Sequence, residues 1–303
     1  MMVSDEHVGF YRTHGYLVVE NLFSSEQIGE LRDVIDEFVA RGNTLRESDG
    51  VIDLEDTHTP ERPRLRRIIT PDEHHPIFRQ FVALPKYIAV ASRLIGPNIR
   101  LHFCKVNLKL GGFGAPVQWH QDWSFYPHTN DDLLVSGVLL DDMDEDNGPI
   151  TVMPGTHTGP VFDHHHNGQF TGALNVQACG LDFSKAVKLT APAGSLVLFH
   201  VRLVHGSDLN RSARPRRVVL YELAAADAWP LAGTYSTPLI PDLETFNARM
   251  VAGEPTIEPR VEKVPVRIPM PSPTGRAGIY EAQKGAASQY FEIDVDRDAT
   301  SAG

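Results

Sequence analysis

A histidine and an aspartate one residue apart, His120 and Asp122 in the segment QWHQDWSFY, give the first chemical signal in this chain. On an extended strand residues i and i+2 project from the same face. The imidazole and the carboxylate can therefore meet one metal ion while Gln121 turns away. A third ligand must come from elsewhere in the sheet, and His205 in LVHGSDLN follows a strongly β-like run. Two histidines and a carboxylate on one face of a metal form the facial triad of non-haem Fe(II) oxygenases. Such a triad leaves room for a chelating keto-acid and for O2. His-x-Asp alone is a weak motif that many surface strands carry, and a turn histidine often only caps a strand end. His200 competes with His205 as a ligand. It lies five residues earlier, so in a regular strand the two face oppositely and His200 is expected to pack in the sheet.

The next clue is Arg216, eleven residues after His205. The intervening GSDLNRSARP reads as a hairpin loop, which puts Arg216 at the start of the adjacent strand. A planar guanidinium there can hold a carboxylate bidentately, and 2-oxoglutarate carries one at the end far from the iron. Arg211 and Arg214 fall within the turn and Arg217 faces opposite to Arg216 by strand parity. Other features are weaker. Three adjacent histidines, His164 to His166, cannot all face one ion and read as a solvated loop. His157 fits a pocket wall or plain packing equally well. Trp123, Phe125 and Tyr126 follow the metal motif and fit either an apolar substrate wall or the core.

These residues need a scaffold. From about residue 100 short apolar runs alternate with Gly, Pro, Asn and Asp: LLVSGVLL (133–140), PITVM (149–153), AVKL (186–189), SLVLFHVRLV (195–204) and RVVLYEL (217–223). Short strands with frequent turns indicate an all-β sandwich or barrel, here of the jelly-roll type. Residues 1–99 read as mainly helical. Ser24 and Gln27 have capping-box spacing, Ile28, Leu31, Ile35 and Phe38 follow at helical spacing, and Gly42 is placed to stop that helix. A shorter helix ends near Gly15, with a strand at Tyr16 to Val19, and another helix runs from Pro85 to just before Gly96. Residues 43–75, rich in Asp, Glu and Arg, are expected to form a loop or lid. The proline-rich stretch after about residue 252 cannot be a central strand or helix and is expected to wrap the surface as a tail. The expectation is one domain over 1–303: a helical N-terminal region over residues 1–99, a β core over 100–225 and an extended tail over 226–303.

Taken together, these pieces resemble the phytanoyl-CoA dioxygenase family. The resemblance rests on WHQD (119–122), DLLVSGV (132–138), DNGPITVMPGTHTG (146–159) and FHVRLVHGSDLNRSARPRR (199–217), and on FYRTHGYLVVENLFSSEQI (10–28) as the opening. It covers about residues 8–225. It implies a mainly β fold with flanking helices around a double-stranded β-helix (jelly roll, cupin-like), with Fe(II), 2-oxoglutarate and O2 as the reacting set. It implies Fe(II) on His120, Asp122 and His205, and 2-oxoglutarate on Arg216. Gln118, sharing a strand face with His120 by parity, Ser207 and Lys105 are further candidates for the co-substrate. The family's founding enzyme places a Trp near the co-substrate where this chain has Val138, which separates it from the phytanoyl-CoA enzyme itself. The implied activity is oxidation of a C–H bond of a small molecule with release of succinate and CO2. Asp122 is present where radical halogenases have a small residue, so hydroxylation, desaturation, ring formation or peroxide formation is favoured over halogenation.

The formal net charge of -11 argues against non-specific nucleic-acid binding, which needs cations to displace counterions, and disfavours anionic membranes. Two cysteines, Cys104 and Cys179, are too few for a disulfide scaffold. With no basic and apolar leader at the N-terminus and no apolar run near the ~20 residues of a membrane helix, a cytoplasmic location is expected. Two other classes remain. One is a cupin-like Zn or Mn hydrolase or isomerase, against which Arg216 argues. The other is a non-catalytic metal-binding module, against which the complete triad argues.

Overall fold

The computed structural model describes residues 3–112, 114–231, 242–271, 278–286 and 288–292. Two antiparallel sheets form the core. The larger runs in the order β1 (Tyr16–Val19), β11 (Leu196–His200), β6 (Leu133–Leu139), β13 (Arg216–Ala225), β4 (Ile99–Lys109), β3 (Leu65–Ile69) and β2 (Ile52–Leu54), and β14 (Met250–Ala252) also pairs with β4. The smaller runs β10 (Val187–Lys188), β7 (Ile150–Val152), β12 (His205–Ser207) and β5 (Val117–His120). A small hairpin, β8 (His165–His166) with β9 (Gln169–Phe170), stands apart. The fold is the expected mainly β jelly roll.

Strand parity explains why the core strands read as unbroken apolar runs. Val135, Leu139, Val197, Phe199, Val218 and Leu220 point inward and meet Ile150 and Val152 of the smaller sheet. Their neighbours Leu134, Val138, Leu196, Leu198, Val219 and Tyr221 point outward into a helical layer. Both faces are buried, so alternation disappears, and each buried side chain stabilises by about 1.5–3 kcal/mol. The layer comprises α1 (Asp5–His14), α2 (Ser25–Gly42), α3 (Ile77–Val82) and α4 (Pro85–Ile95). The capping box at Ser24 and Gln27 is formed, and Ile28, Leu31, Ile35 and Phe38 are buried as their spacing requires. At Gly42 a Cβ would come within 2.4 Å of the Leu65 side chain, so the last turn of α2 lies directly on β3.

Three expectations change. Residues 43–75 hold β2 and β3, which extend the large sheet and bury Ile52, Leu65 and Ile68. Their charges misled because they neutralise one another: Arg66 pairs with Glu55 and Arg67 with Asp53 across the hairpin. The segment after His205 is not a hairpin loop, since β12 and β13 belong to different sheets. It crosses between sheets, braced by Asn210, whose side-chain amide donates to the carbonyls of Lys109 and Arg214 at 3.0 and 2.6 Å. The stretch beyond residue 226 is only partly an extended wrap. It also contributes β14, α5 (Leu243–Asn247) and α6 (Ile279–Gln283), and buries Tyr280 and Phe291. Among the described residues no helix is long and apolar enough to cross a membrane.

Candidate active site

The register of the smaller sheet sets His205 directly opposite His120. Directly paired residues share a face, and the two imidazole rings lie 4.1 Å apart between centroids. Asp122 follows one extended residue, Gln121, at the start of a short 3-10 turn. Its two carboxylate oxygens approach His120 Nε2 at 3.3 Å and His205 Nε2 at 3.6 Å. Ligand-type atoms of the three buried residues all lie within 4.8 Å of one another. In both rings Nδ1 is 2.8 to 3.0 Å from a carbonyl two residues upstream, Gln118 O or Leu203 O. A carbonyl only accepts, so Nδ1 carries the proton and donates. Nε2 keeps its lone pair for a metal, the tautomer control found at metal sites generally. Burial pushes the His205 imidazole down to about 3, and nearby His120 adds to this. Burial alone raises the Asp122 carboxyl, but His205, His120 and Lys105 outweigh it and hold it below the usual carboxylate range. At neutral pH His205 is a neutral imidazole and Asp122 a carboxylate, and with His120 they give the two-nitrogen, one-carboxylate donor set that suits Fe(II).

Between the ligands, Gln121 turns away as parity requires. Its side chain donates to Arg202 O at 2.7 Å and accepts from Phe162 N. Its backbone N–H donates to His164 Nε2 at 3.0 Å, while His164 Nδ1 sits 2.9 Å from Phe162 O. Burial pushes the His164 imidazole down to about 3, which keeps Nε2 an acceptor. The solvated-loop reading of His164 to His166 is therefore incorrect for His164 and His166, both buried. No local pattern shows this clasp, because its partner is 43 positions away.

Gln118 does not share the ligands' face. Two steps of β12, from His205 to Ser207, stand against three steps of β5, from His120 to Val117. This bulge shifts parity by one, so Val117 rather than Gln118 lines the cavity with His120. The Gln118 side chain instead holds the C-terminal segment. Its Oε1 accepts from Tyr290 N and Phe291 N at 2.8 and 3.0 Å and its Nε2 donates to Phe291 O. The Gln118 backbone N–H donates to Gln283 Oε1 at 2.9 Å.

A cavity of about 50 Å³ opens on the triad. Its polar wall, besides the ligands, is Arg67, Lys105 and Asn107. Lys105 Nζ lies 2.8 Å from Glu222 Oε1. Burial alone lowers its pKa, yet Glu222 and Asp122 outweigh that and raise it, so the ammonium persists. Ser207 stands opposite Ile150 and Val117, both on the cavity wall. Arg216 shares the inner face of β13 with Leu220, roughly 13 Å further along the strand at ~3.4 Å per residue. It is 2% exposed. One terminal NH2 donates to Gly148 O, Nε has no partner, and no carboxylate pairs with it among the described residues. Burial lowers its pKa to about 10, so it remains a cation. A buried cation lacking a counterion among the described residues, on the inner face of the large sheet opposite the sheet that carries the metal donors, fits a dianionic co-substrate spanning the two. Arg217, Arg211 and Arg214 point elsewhere, to Asp141, Asp208 and Asp144.

Other candidates lie outside the site. His200 sits 3.9 Å from Asp131. His157 packs on Gly15 and His200. Trp123, Phe125 and Tyr126 belong to a core cluster behind the metal strand, with Phe125 edge-on to His120 at 6.1 Å. Val138 faces the helical layer, so it is not the counterpart of a co-substrate Trp.

Residues 11–218 match the family model described as phytanoyl-CoA dioxygenase (PhyH). The chain belongs to the phytanoyl-CoA dioxygenase family. It is 34% identical over 285 residues to a probable alpha-ketoglutarate-dependent hypophosphite dioxygenase of Stutzerimonas stutzeri, covering 93% of this chain and 97% of that one. It is 31% identical over 190 residues to an L-proline trans-4-hydroxylase of Streptomyces griseoviridis, covering 54% and 71%. The fold matches EctD from S. alaskensis with bound Fe at a TM-score of 0.64 and 22% identity, covering 87% and 88%. The family's chemistry applies: the protein is a dioxygenase dependent on Fe(II), 2-oxoglutarate and O2. Bound Fe(II) and 2-oxoglutarate supply the oxidation of substrate, with succinate and CO2 as co-products.

Proposed function

We propose that this dioxygenase inserts one oxygen atom into a C–H or P–H bond of a small molecule, with hypophosphite the leading candidate. The observation that carries the reading is the convergence of two Nε2 atoms and a carboxylate on the small sheet, facing a large sheet whose inner side holds buried Arg216 with no carboxylate partner among the described residues. In this reading His120, Asp122 and His205 hold Fe(II), Arg216 takes the distal carboxylate of 2-oxoglutarate, and Lys105 and Ser207 contact the co-substrate. Gln118 has a structural role instead. The hypophosphite candidate is supported by a relative matched over nearly its whole length. For hypophosphite, oxygen insertion converts P–H to P–OH, the product is phosphite, and the second oxygen atom of O2 enters succinate. We further read 1–303 as one domain acting in the cytoplasm. The pairing of β1 with β11 and of Gln118 with the C-terminal segment supports the first point, and the free thiols of Cys104 and Cys179 support the second.

Anaerobic titration with Fe(II), with and without 2-oxoglutarate, tests the assignment. The expected result is a visible charge-transfer band that needs both, and hypophosphite-stimulated succinate release once O2 is admitted. Zn²⁺ should occupy the site and inhibit. Turnover supported by Zn²⁺ alone would make the protein a hydrolase.

A further inference from the structure

Besides Arg216, which lies outside the cavity lining, a guanidinium that the chemistry above does not use lines the cavity itself. Arg67 reaches it from β3, opposite Asn107 of β4, and its side chain is 12% exposed. Nε donates to Asp53 Oδ2 at 2.8 Å. The guanidinium lies 5.6 Å from the centre of the Tyr280 ring. A Cβ on Gly278 would fall 1.8 Å from its Nη2, so the entry to α6 presses on it. The group is thus pinned on one edge and covered on another. Its two terminal amino groups have no acceptor among the described residues. Beside it, Asn107 Oδ1 is buried and also unpartnered.

We propose that Arg67 is the residue that reads the substrate, through a bidentate contact to the two oxygens of a small oxyanion. The inference rests on the dioxygenase reading and narrows it. 2-Oxoglutarate has its own cation in Arg216, which lies on β13, separated from β3 by β4. A fork held at Nε by Asp53 presents two parallel donors, which match two oxygens on one central atom. In hypophosphite those two oxygens leave the two P–H bonds on the opposite side, free to face the triad. Asn107, whose amide can present either its oxygen or its NH2, adds a third contact. A neutral ligand would leave the fork unpaired in a largely buried wall, which is the element that rejects it.

The test uses the full chain, wild type against Arg67→Met and Arg67→Lys. In the iron-loaded enzyme Arg67→Met should raise the KM for hypophosphite by roughly thirty- to a hundredfold. Arg67→Lys should fall between, because it keeps the charge and loses the fork. The KM for 2-oxoglutarate should move less than threefold. A second readout needs no turnover: ³¹P line broadening of hypophosphite by the Zn²⁺- and 2-oxoglutarate-loaded protein, present in wild type and lost in Arg67→Met. A rise in the KM for 2-oxoglutarate instead would assign Arg67 to the co-substrate and overturn the proposal. So would wild-type protein that leaves the hypophosphite line sharp. Absence of any iron-dependent 2-oxoglutarate consumption would sink the dioxygenase reading instead, while the ³¹P arm still reports on Arg67.

Discussion

Arg216 offers a direct measurement of how much of the site is built for a ligand. In the free protein this cation is 2% exposed, and its one hydrogen-bond acceptor among the described residues is the carbonyl of Gly148. The desolvation of an ion costs several kcal/mol, which the Gly148 carbonyl and the more distant Asp141 offset only in part. A carboxylate docking there makes two charge-assisted hydrogen bonds of about 1.5–3 kcal/mol each. Arg216→Lys keeps a point charge and loses the fork, roughly half of that sum. The expected weakening of 2-oxoglutarate binding is about ten- to a hundredfold, since ~1.4 kcal/mol is a factor of ten. Arg216→Met also removes a buried charge that is only partly compensated, so its ligand-free melting temperature should equal or exceed that of wild type. With Zn²⁺ bound and 2-oxoglutarate at a hundred times its Kd, wild type should gain about 2.7 kcal/mol. At about 2–4 °C per kcal/mol for a chain of this size, that is roughly 5–10 °C, which Arg216→Met should not show. Differential scanning fluorimetry with a 2-oxoglutarate titration measures both. Arg211 and Arg214, paired to surface carboxylates, are the controls and should behave as wild type. If Arg216→Met melts well below wild type without ligand and binds 2-oxoglutarate normally, the guanidinium is a structural brace and the argument fails.

Replacing His120, Asp122 or His205 with Ala should abolish iron-dependent succinate release while circular dichroism stays unchanged; full activity in one variant would remove that residue from the metal set. His164→Phe removes the acceptor for the Gln121 N–H between two ligands and should weaken iron binding by about ten- to a hundredfold, as losses behind metal ligands do; unchanged affinity in a competition titration against a chelator would assign His164 to packing alone. Burial holds His128 and His200 down to about 4 and His164 and His205 down to about 3. The unfolded chain therefore takes up protons first as pH falls below ~6.5. The metal-free protein should lose stability steadily from pH 7 to 5, and a flat melting temperature over that interval would contradict it.

The features of the site that were legible in the sequence are those fixed by strand parity over short distances. His120 and Asp122 share a face because one extended residue separates them, and Arg216 differs from Arg217 because neighbours on a strand point oppositely. The same rule failed at Gln118, where the bulge opposite β12 inserts a residue that leaves no local trace. The hairpin at 52–69 was hidden for a different reason. Arg66 and Arg67 look like surface charges until Glu55 and Asp53 are seen across from them. The roles of His164 and Arg67 had no signal in the sequence, because they come from Gln121 and α6, which only the closed fold brings near.

The Gln118 clasp also places the site in time. Gln283 lies 165 positions after Gln118, so at roughly 5–20 residues per second of synthesis it emerges on the order of ten to thirty seconds later. Until then the backbone N–H of Gln118, two residues from the first ligand, lacks the partner that holds it in the finished molecule. Arg67 likewise lacks the backbone of Gly278 that presses on it. A nascent chain can close both sheets and still have an unfinished pocket. The finished pocket thus waits for the segment that carries Gly278 and Gln283, and removing that segment takes away supports of the site itself.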